Sequence, residues 1–224
     1  MLSDIIAQVI EAVPELKPYL KTYDELYSRL WGAAVRLFNG GKDANFLGSF
    51  ARSIDQQLTE AWNTGADDVG VAPEDMTPDD MTILEGIINN ENDFLDGIAG
   101  DIATDRDAGM TREDFDSKYG SRVDLWANRY TEVVNTARMH FGGKQRLVWR
   151  LGQTEQHCPE CEQLDGIVAW ADEWSQADIH PQDPPNRHLT CGGWRCDCRL
   201  EPTTDRRTAR AIDRITEIAL QGNT

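Results

Sequence analysis

Along the first two-thirds of the chain, hydrophobic residues recur at the three- and four-residue steps of helices that bury one side. Ser3 is placed to cap a run over Asp4–Val13, which Pro14 ends. From Lys17 onward, Leu20, Tyr23, Tyr27, Leu30, Ala34 and Leu37 mark a second helix, stopped at Gly40-Gly41. Phe46, Phe50, Ile54, Leu58 and Trp62 mark a third, which leads into Gly65, and Val69–Asp80 reads as a solvated loop. Thr77-Pro78-Asp79-Asp80 opens the next helix, with proline in the first turn and acids at the positive end of the dipole. Its expected apolar face is Ile83, Ile87, Ile88, Phe94, Leu95 and Ile98, with Gly100 closing it. The pattern restarts at Met110-Thr111-Arg112-Glu113. It then runs through Leu125, Trp126, Tyr130, Val133, Val134, Ala137 and Phe141 to Gly142-Gly143. Stripes of this kind are read as the core-facing sides of a bundle rather than as cofactor or partner surfaces.

Beyond Gly143 the period shortens. Arg146–Leu151 is β-prone, and Asp165-Gly166 turns into a second strand at Ile167-Val168. Gln176–Leu189 carries Pro181, Pro184 and Pro185 and reads as an extended loop. Cys196–Leu200 alternates as a strand does and ends before Pro202. Thr204–Leu220 reads as a helix closed by Gly222, with Ile212, Ile215 and Ala219 on one side and Arg207, Arg210 and Arg214 on another. That stripe is too narrow to fold alone, so the helix is expected to pack on the bundle or on a neighbouring subunit, as in a homo-oligomer. The expected class is α+β and mainly α-helical: an N-terminal helical bundle, a small zinc-stapled β-rich module and a C-terminal helix.

Composition sharpens this picture. The 224 residues hold 22 Lys and Arg against 39 Asp and Glu, a formal net charge of −17. Residues 1–115 carry a net −15 and no cysteine, whereas residues 116–224 carry a net −2 and all five cysteines. The two shifts suggest differently built regions joined between Gly100 and Thr111. The expected division is an acidic helical region over 1–110, a cysteine-bearing module over 111–203 and a tail over 204–224. So acidic a chain repels a phosphate backbone over most of its surface, which disfavours nucleic-acid binding by the whole chain. Neither a membrane-spanning apolar run nor the basic start of a signal peptide is present. An odd number of cysteines then argues for reduced thiols rather than a disulfide framework.

The informative element is His157-Cys158-Pro159-Glu160-Cys161, followed about thirty residues later by Cys191-Gly192-Gly193-Trp194-Arg195-Cys196-Asp197-Cys198. A Cys-x-x-Cys turn brings two sulfurs to one ion, and zinc closes a structural site with four S or N ligands in a tetrahedron. The candidate ligands are Cys158, Cys161, Cys191, Cys196 and Cys198. The preferred four are Cys158, Cys161, Cys191 and Cys196, with Cys198 the nearest rival and His188 next. His157, His140 and His180 rank below them, while Arg195 and Arg199 are placed to offset the charge of the thiolates. Competing readings are unmetallated buried thiols, a redox Cys-x-x-Cys and a catalytic zinc with an open position. Trp149, Trp170, Trp174 and Trp194 also fall in this module, where large aromatics and an ion together can compensate for a core of only about sixty residues.

One resemblance stands out. Arg129-Tyr130-Thr131-Glu132 through Ala137-Arg138 to Trp149, then Cys158-Pro159-Glu160-Cys161-Glu162-Gln163-Leu164-Asp165-Gly166, and a Cys-x-Cys close before Pro202, together resemble the Mu F-like phage head-morphogenesis family. These are minor capsid proteins of tailed bacteriophages. The resemblance covers residues 115–203, and the family's usual close, His-Pro-x-Cys-Arg-Cys, is here Cys191 to Cys198, with a cysteine where a histidine is usual. It implies a virion component that binds the portal or the major capsid protein during head assembly or DNA packaging, is assembled in the host cytoplasm, and has no catalytic cycle. The residues agree, because no nucleophile–base pair, phosphate loop or paired acids with motif context is found. The alternatives are a zinc-dependent nucleic-acid binder using Arg199, Arg206, Arg207, Arg210 and Arg214, and an enzyme hidden in the acidic half.

Overall fold

The computed structural model describes residues 17–153, 156–193 and 196–222. The expected helix over Asp4–Val13, and both Trp194 and Arg195, lie outside the described residues. The chain is α+β and mainly helical, with a single three-stranded sheet among the described residues. Its two compact units do not follow chain order: residues 60–81 and 131 onward form one, and the preceding residues with 82–130 form the other.

In the first unit, α1 (Lys17–Phe38) buries Leu26, Leu30, Ala34 and Leu37 along the expected stripe. Helix α2 (Asp43–Asp67) contributes Phe46, Phe50, Ile54 and Leu58, all buried. Phe115, on α5 (Arg112–Gly142), stacks on Trp31 and Phe38 with ring centroids 5.2 and 4.3 Å away. Stacked rings of this kind add to the benefit of burying their area.

The expected single helix after Thr77 is instead two, α3 (Pro78–Asn92) and α4 (Leu95–Asp107), and Gly100 lies inside the second. Its expected face is also corrected. Ile83 and Phe94 are exposed, and the buried stripe is Leu84, Ile88, Glu91, Leu95, Ile98 and Ile102. The spacing alternates four and three, as a core-facing stripe must. A charged residue occupies one of its positions, which hides the register from a search for apolar residues. Glu91 is tolerated there because Arg129 lies 2.9 Å away. Burial nonetheless pushes its carboxyl above the usual range, against the opposing pull of Arg129.

Both Thr-Pro-Asp-Asp and Met-Thr-Arg-Glu do open helices. The Thr77 hydroxyl accepts the Asp80 N–H, while the Asp80 carboxylate accepts the Thr77 N–H and hydroxyl at 2.7 Å each. Thr111 and Asp114 repeat the hydroxyl-to-carboxylate bond at 2.6 Å. Such reciprocal caps satisfy donors that a helix start otherwise leaves open.

The second unit is built on the end of α2, the later part of α5 and a sheet of order β2–β1–β3, all antiparallel. Strand β1 (Arg146–Arg150) is central, between β2 (Val168–Trp170) and β3 (Arg199–Pro202). Helix α2 does not end at Gly65 but runs through it to Asp67. A Cβ at Gly65 would stand 2.4 Å from the Val134 carbonyl and 2.6 Å from Ala137 Cβ, so the glycine permits close helix contact rather than a stop.

Three further differences concern the sheet. Strand β3 begins at Arg199, so Cys196–Cys198 precede it, and Pro202 is its last residue. Proline is tolerated there because the following N–H, that of Thr203, continues the ladder to the Arg146 carbonyl. A short helix, α7 (Ala171–Ala177), follows β2, and its Glu173 carboxylate accepts the Trp170 N–H. The last helix, α8 (Ala211–Gln221), starts seven residues later than expected. Within residues 204–210, Thr208 meets the edge of β2 instead: its N–H donates to the Val168 carbonyl and its hydroxyl accepts the Val168 N–H. Helix α8 then buries Ala211, Ile215, Ile218 and Ala219, and Ile212 is only partly covered.

Candidate metal centre

The first cysteine pair sits at the start of a short helix, α6 (Pro159–Leu164): Cys158 is its N-cap and Cys161 lies within it. Proline at the first helical position presets the backbone, and the turn brings the Cys158 and Cys161 sulfurs to 3.1 Å. That separation is well beyond a disulfide bond, and all five cysteines are free.

The second group arrives on the loop after α7. Asn186 organises that loop: its amide donates to the His180 carbonyl, its side-chain oxygen accepts the His188 N–H, and its own N–H donates to the Gly192 carbonyl. Gly192 and Gly193 take φ values of 63° and 77°, in the left-handed region that glycine reaches without penalty. A Cβ at Gly193 would also stand 2.9 Å from the Asp183 carbonyl carbon. The backbone N–H of Gly193 helps to lower the Cys191 thiol, and that of Gly152 helps to lower Cys198.

The loop and the first turn are tied together directly. Glu160, between the first two cysteines and buried, accepts both the N–H and the hydroxyl of Thr190 at 2.9 Å. Burial raises its carboxyl, but Thr190, its own backbone N–H and Cys158 together outweigh this and hold it below the usual range. Neither Glu160 nor Asn186 carried a signal in the sequence beyond lying next to the cysteines.

The fold gathers all five cysteines predicted as ligands. The sulfurs of Cys158, Cys161 and Cys191 lie within 4.8 Å of one another, as do those of Cys161, Cys196 and Cys198. Sulfurs bound to one zinc at about 2.3 Å sit about 3.8 Å apart, so the spacing of each trio suits a shared ion. The cysteines are close enough to hold a metal ion, and no ion is part of the structure. Cys161, Cys196 and Cys198 are buried in the hydrophobic core with Trp149 and Trp174, while Cys158 and Cys191 are half-buried at its margin.

Contacts among the sulfurs divide their protonation. Hydrogen bonds from Cys158, Cys161 and Cys196 hold Cys191 far below an ordinary thiol, and Cys161 and Cys196 pull Cys198 down to about 3. Cys161 is pushed up by its four sulfur neighbours and by burial. Cys158 is lowered by Cys161 but raised more by Cys191 and burial, to about 11. Cys196 likewise ends above its ordinary value, because Cys191, Cys198 and burial outweigh Cys161.

Three of the four histidines have partners away from the sulfurs. The ring of His188 meets the Ala219 carbonyl at 3.4 Å and Asp178 at 3.7 Å; His140 lies 2.6 Å from Asp80, and His180 lies 3.3 Å from Asp183. His157, beside Cys158, is partly buried. Arg199, expected to offset the thiolates, bonds Glu201 at 2.6 Å. Trp149 and Trp174 are fully buried with ring centroids 5.7 Å apart, so they are core residues rather than an exposed aromatic patch. No helix among the described residues is long and apolar enough to cross a membrane. Comparisons with known protein families, with characterised proteins and with solved structures found no match to this chain.

Proposed function

We propose that this chain is a structural minor capsid protein of a tailed bacteriophage. In this reading it acts in head morphogenesis, binds the portal or the major capsid protein, and carries one zinc ion in a structural role. The observation that carries the proposal is the cluster of five sulfurs in the core of the second unit. From Thr131 to Pro202, the residues that resemble the phage family belong to that one unit. Zinc is the ion best suited to a buried, all-sulfur donor set: it is borderline soft, takes tetrahedral thiolate ligation and undergoes no redox chemistry. Five sulfurs around so small a volume also leave little room for the open position that a catalytic zinc requires.

The nucleic-acid reading is weaker, because three of its five arginines are engaged. Arg207 forms a two-point ion pair with Glu173, Arg210 bonds Asp213 at 2.8 Å, and Arg199 is held by Glu201. Such pairs spend the charge that a phosphate contact would use. The ion's task in a capsid component is mechanical. It ties the loop over residues 178–193 and the segment before β3 to helix α6, giving a small module a rigidity its limited core does not supply.

The test has two parts. Elemental analysis of the purified chain should find one zinc per chain, and mass spectrometry of particles from the phage encoding it should find the chain in few copies. Particles of normal composition that lack the chain overturn the capsid assignment, whatever the metal result.

A further inference from the structure

Helix α3 has two apolar sides, and the protein covers only one of them. Leu84, Ile88 and, just past the helix, Leu95 are buried, whereas Ile83 is 41% and Phe94 59% exposed. Ile83, Gly86, Ile87 and Asn90 follow one another at the three- and four-residue steps of a single helix face. Phe94 extends the row, because the Asp93 N–H still bonds the Asn89 carbonyl and Phe94 keeps helical backbone angles. Ile87 is half-buried, and Gly86 and Asn90 are exposed. Large apolar side chains lined up in water mark a surface that something else covers.

Gly86 points the same way. Glycine inside a helix is destabilising relative to alanine, so it needs a compensating contact. At Gly65 that contact is within the chain, but a Cβ at Gly86 would meet nothing within 4 Å. The glycine leaves an open notch between Ile83 and Asn90, the shape that receives a side chain from a helix packed across the row.

Charge defines what that helix carries. Residues 53–105 contain fourteen Asp and Glu and no Lys, Arg or His. Glu85, Asp93 and Asp96 are exposed and form no ion pair among the described residues. We propose that Ile83, Gly86, Ile87, Asn90 and Phe94 form a docking face for a basic amphipathic helix of another protein. Its apolar ridge lies along the row, and its Lys or Arg side chains reach the acids around it. A second copy of this chain does not fit. A two-fold contact through this face sets like acids against each other, and the arginine-bearing helix α8 already has its apolar side buried. Nucleic acid is repelled by the same acids and offers no apolar ridge. Docking here depends on neither the metal centre nor the capsid assignment.

The test uses the full chain and a labelled helical peptide of about 20 residues built from Leu and Lys, with Leu at the same three- and four-residue spacing. Two matched peptides, Leu with Glu and Ser with Lys, separate charge from apolar contact. Fluorescence anisotropy should show the Leu/Lys peptide binding, weakened about tenfold or more by the double variant Ile83→Ser, Phe94→Ser and by Gly86→Gln. The Leu/Glu peptide should not bind, and the Ser/Lys peptide should bind weakly and alike to every variant. Leu220→Ser, at another exposed apolar residue, should leave the affinity unchanged. Gly86→Gln keeps the test decisive if the double variant folds poorly, because a better helix former in open space should hold or raise the unfolding midpoint. Failure of the Leu/Lys peptide to bind, equal binding to wild type and Gly86→Gln, or an affinity no better than that of the Ser/Lys peptide each overturns the proposal. So does a dimer in sedimentation equilibrium that the double variant dissolves, which assigns the face to a second copy.

Discussion

Single residues decide several of the close approaches in this fold. Gly65 lies where α2 meets α5, and a methyl group there would stand inside the contact distance of the Val134 carbonyl, a backbone atom that cannot swing aside. Gly65→Ala should therefore destabilise the protein by about 1–3 kcal/mol, as overpacking does. The check is chemical denaturation, because the opposite result, a gain from improved helix propensity, is what an exposed glycine would show. Asp80 sets a pH dependence. His140, and then the backbone and hydroxyl of Thr77, draw its carboxyl down to about 2. A carboxyl depressed in the folded state adds stability above its unfolded value of about 4, and loses that contribution as pH falls through the folded one. The difference in melting temperature between wild type and Asp80→Asn should thus be largest above about pH 4 and shrink toward pH 2.

The elements of the second unit are held at their edges by buried polar side chains on α5. The Asn135 side-chain oxygen accepts the Leu200 N–H at 3.0 Å, and Arg138 donates to the Leu200 carbonyl. Together they take up the Leu200 N–H and carbonyl on the side of β3 that faces away from β1. Arg138 also holds Asp68 at 2.9 Å, linking the end of α2 to the same strand. Arg138→Met keeps much of the volume but strands both partners. It should cost on the order of 2 kcal/mol, less than a fully buried pair because Asp68 retains access to water. Equilibrium unfolding measures this, and an unchanged midpoint would show that water replaces the arginine. At the other edge, β2 is covered by Thr208, which explains why the polar residues before α8 do not extend the helix.

On the scale of the whole molecule, the metal centre is part of a core rather than an addition to its surface. Three of its sulfurs share a hydrophobic cluster with two fully buried tryptophans and the apolar side of α8. Removing the ion should leave thiols whose hydrogen bonds hold the site together far less firmly than metal bonds would. Chelation is expected to lower the unfolding temperature and to loosen the tryptophan environment, while the helices of the first unit keep their far-ultraviolet signal. A chelated sample with unchanged near-ultraviolet dichroism would show that the core stands without an ion. Ligation also requires Cys161 and Cys196, both held above the ordinary thiol value, to give up their protons. Affinity should consequently rise with pH across the neutral range, with protons released to the buffer on binding.

Local rules made the long helices, the three strands and the cysteine-bearing turns legible in the sequence. The repeat of apolar residues, the proline and acids of Thr77–Asp80 and the Cys-x-x-Cys turn all act over a few neighbouring residues. They failed where a distant partner outweighed a local preference: Glu91 took a core position opposite Arg129, Gly65 served a helix contact, and Thr208 was claimed by the edge of a strand. The sequence by itself determined that five soft ligands lie on two separated segments beside the aromatic residues of a small core. Only the tertiary structure decided that all five meet with Cys161 in both trios and that Glu160 reaches Thr190 to align the two segments. The physical reason is that sulfur-to-sulfur distances depend on where separate chain segments cross, and no spacing along the chain encodes that crossing.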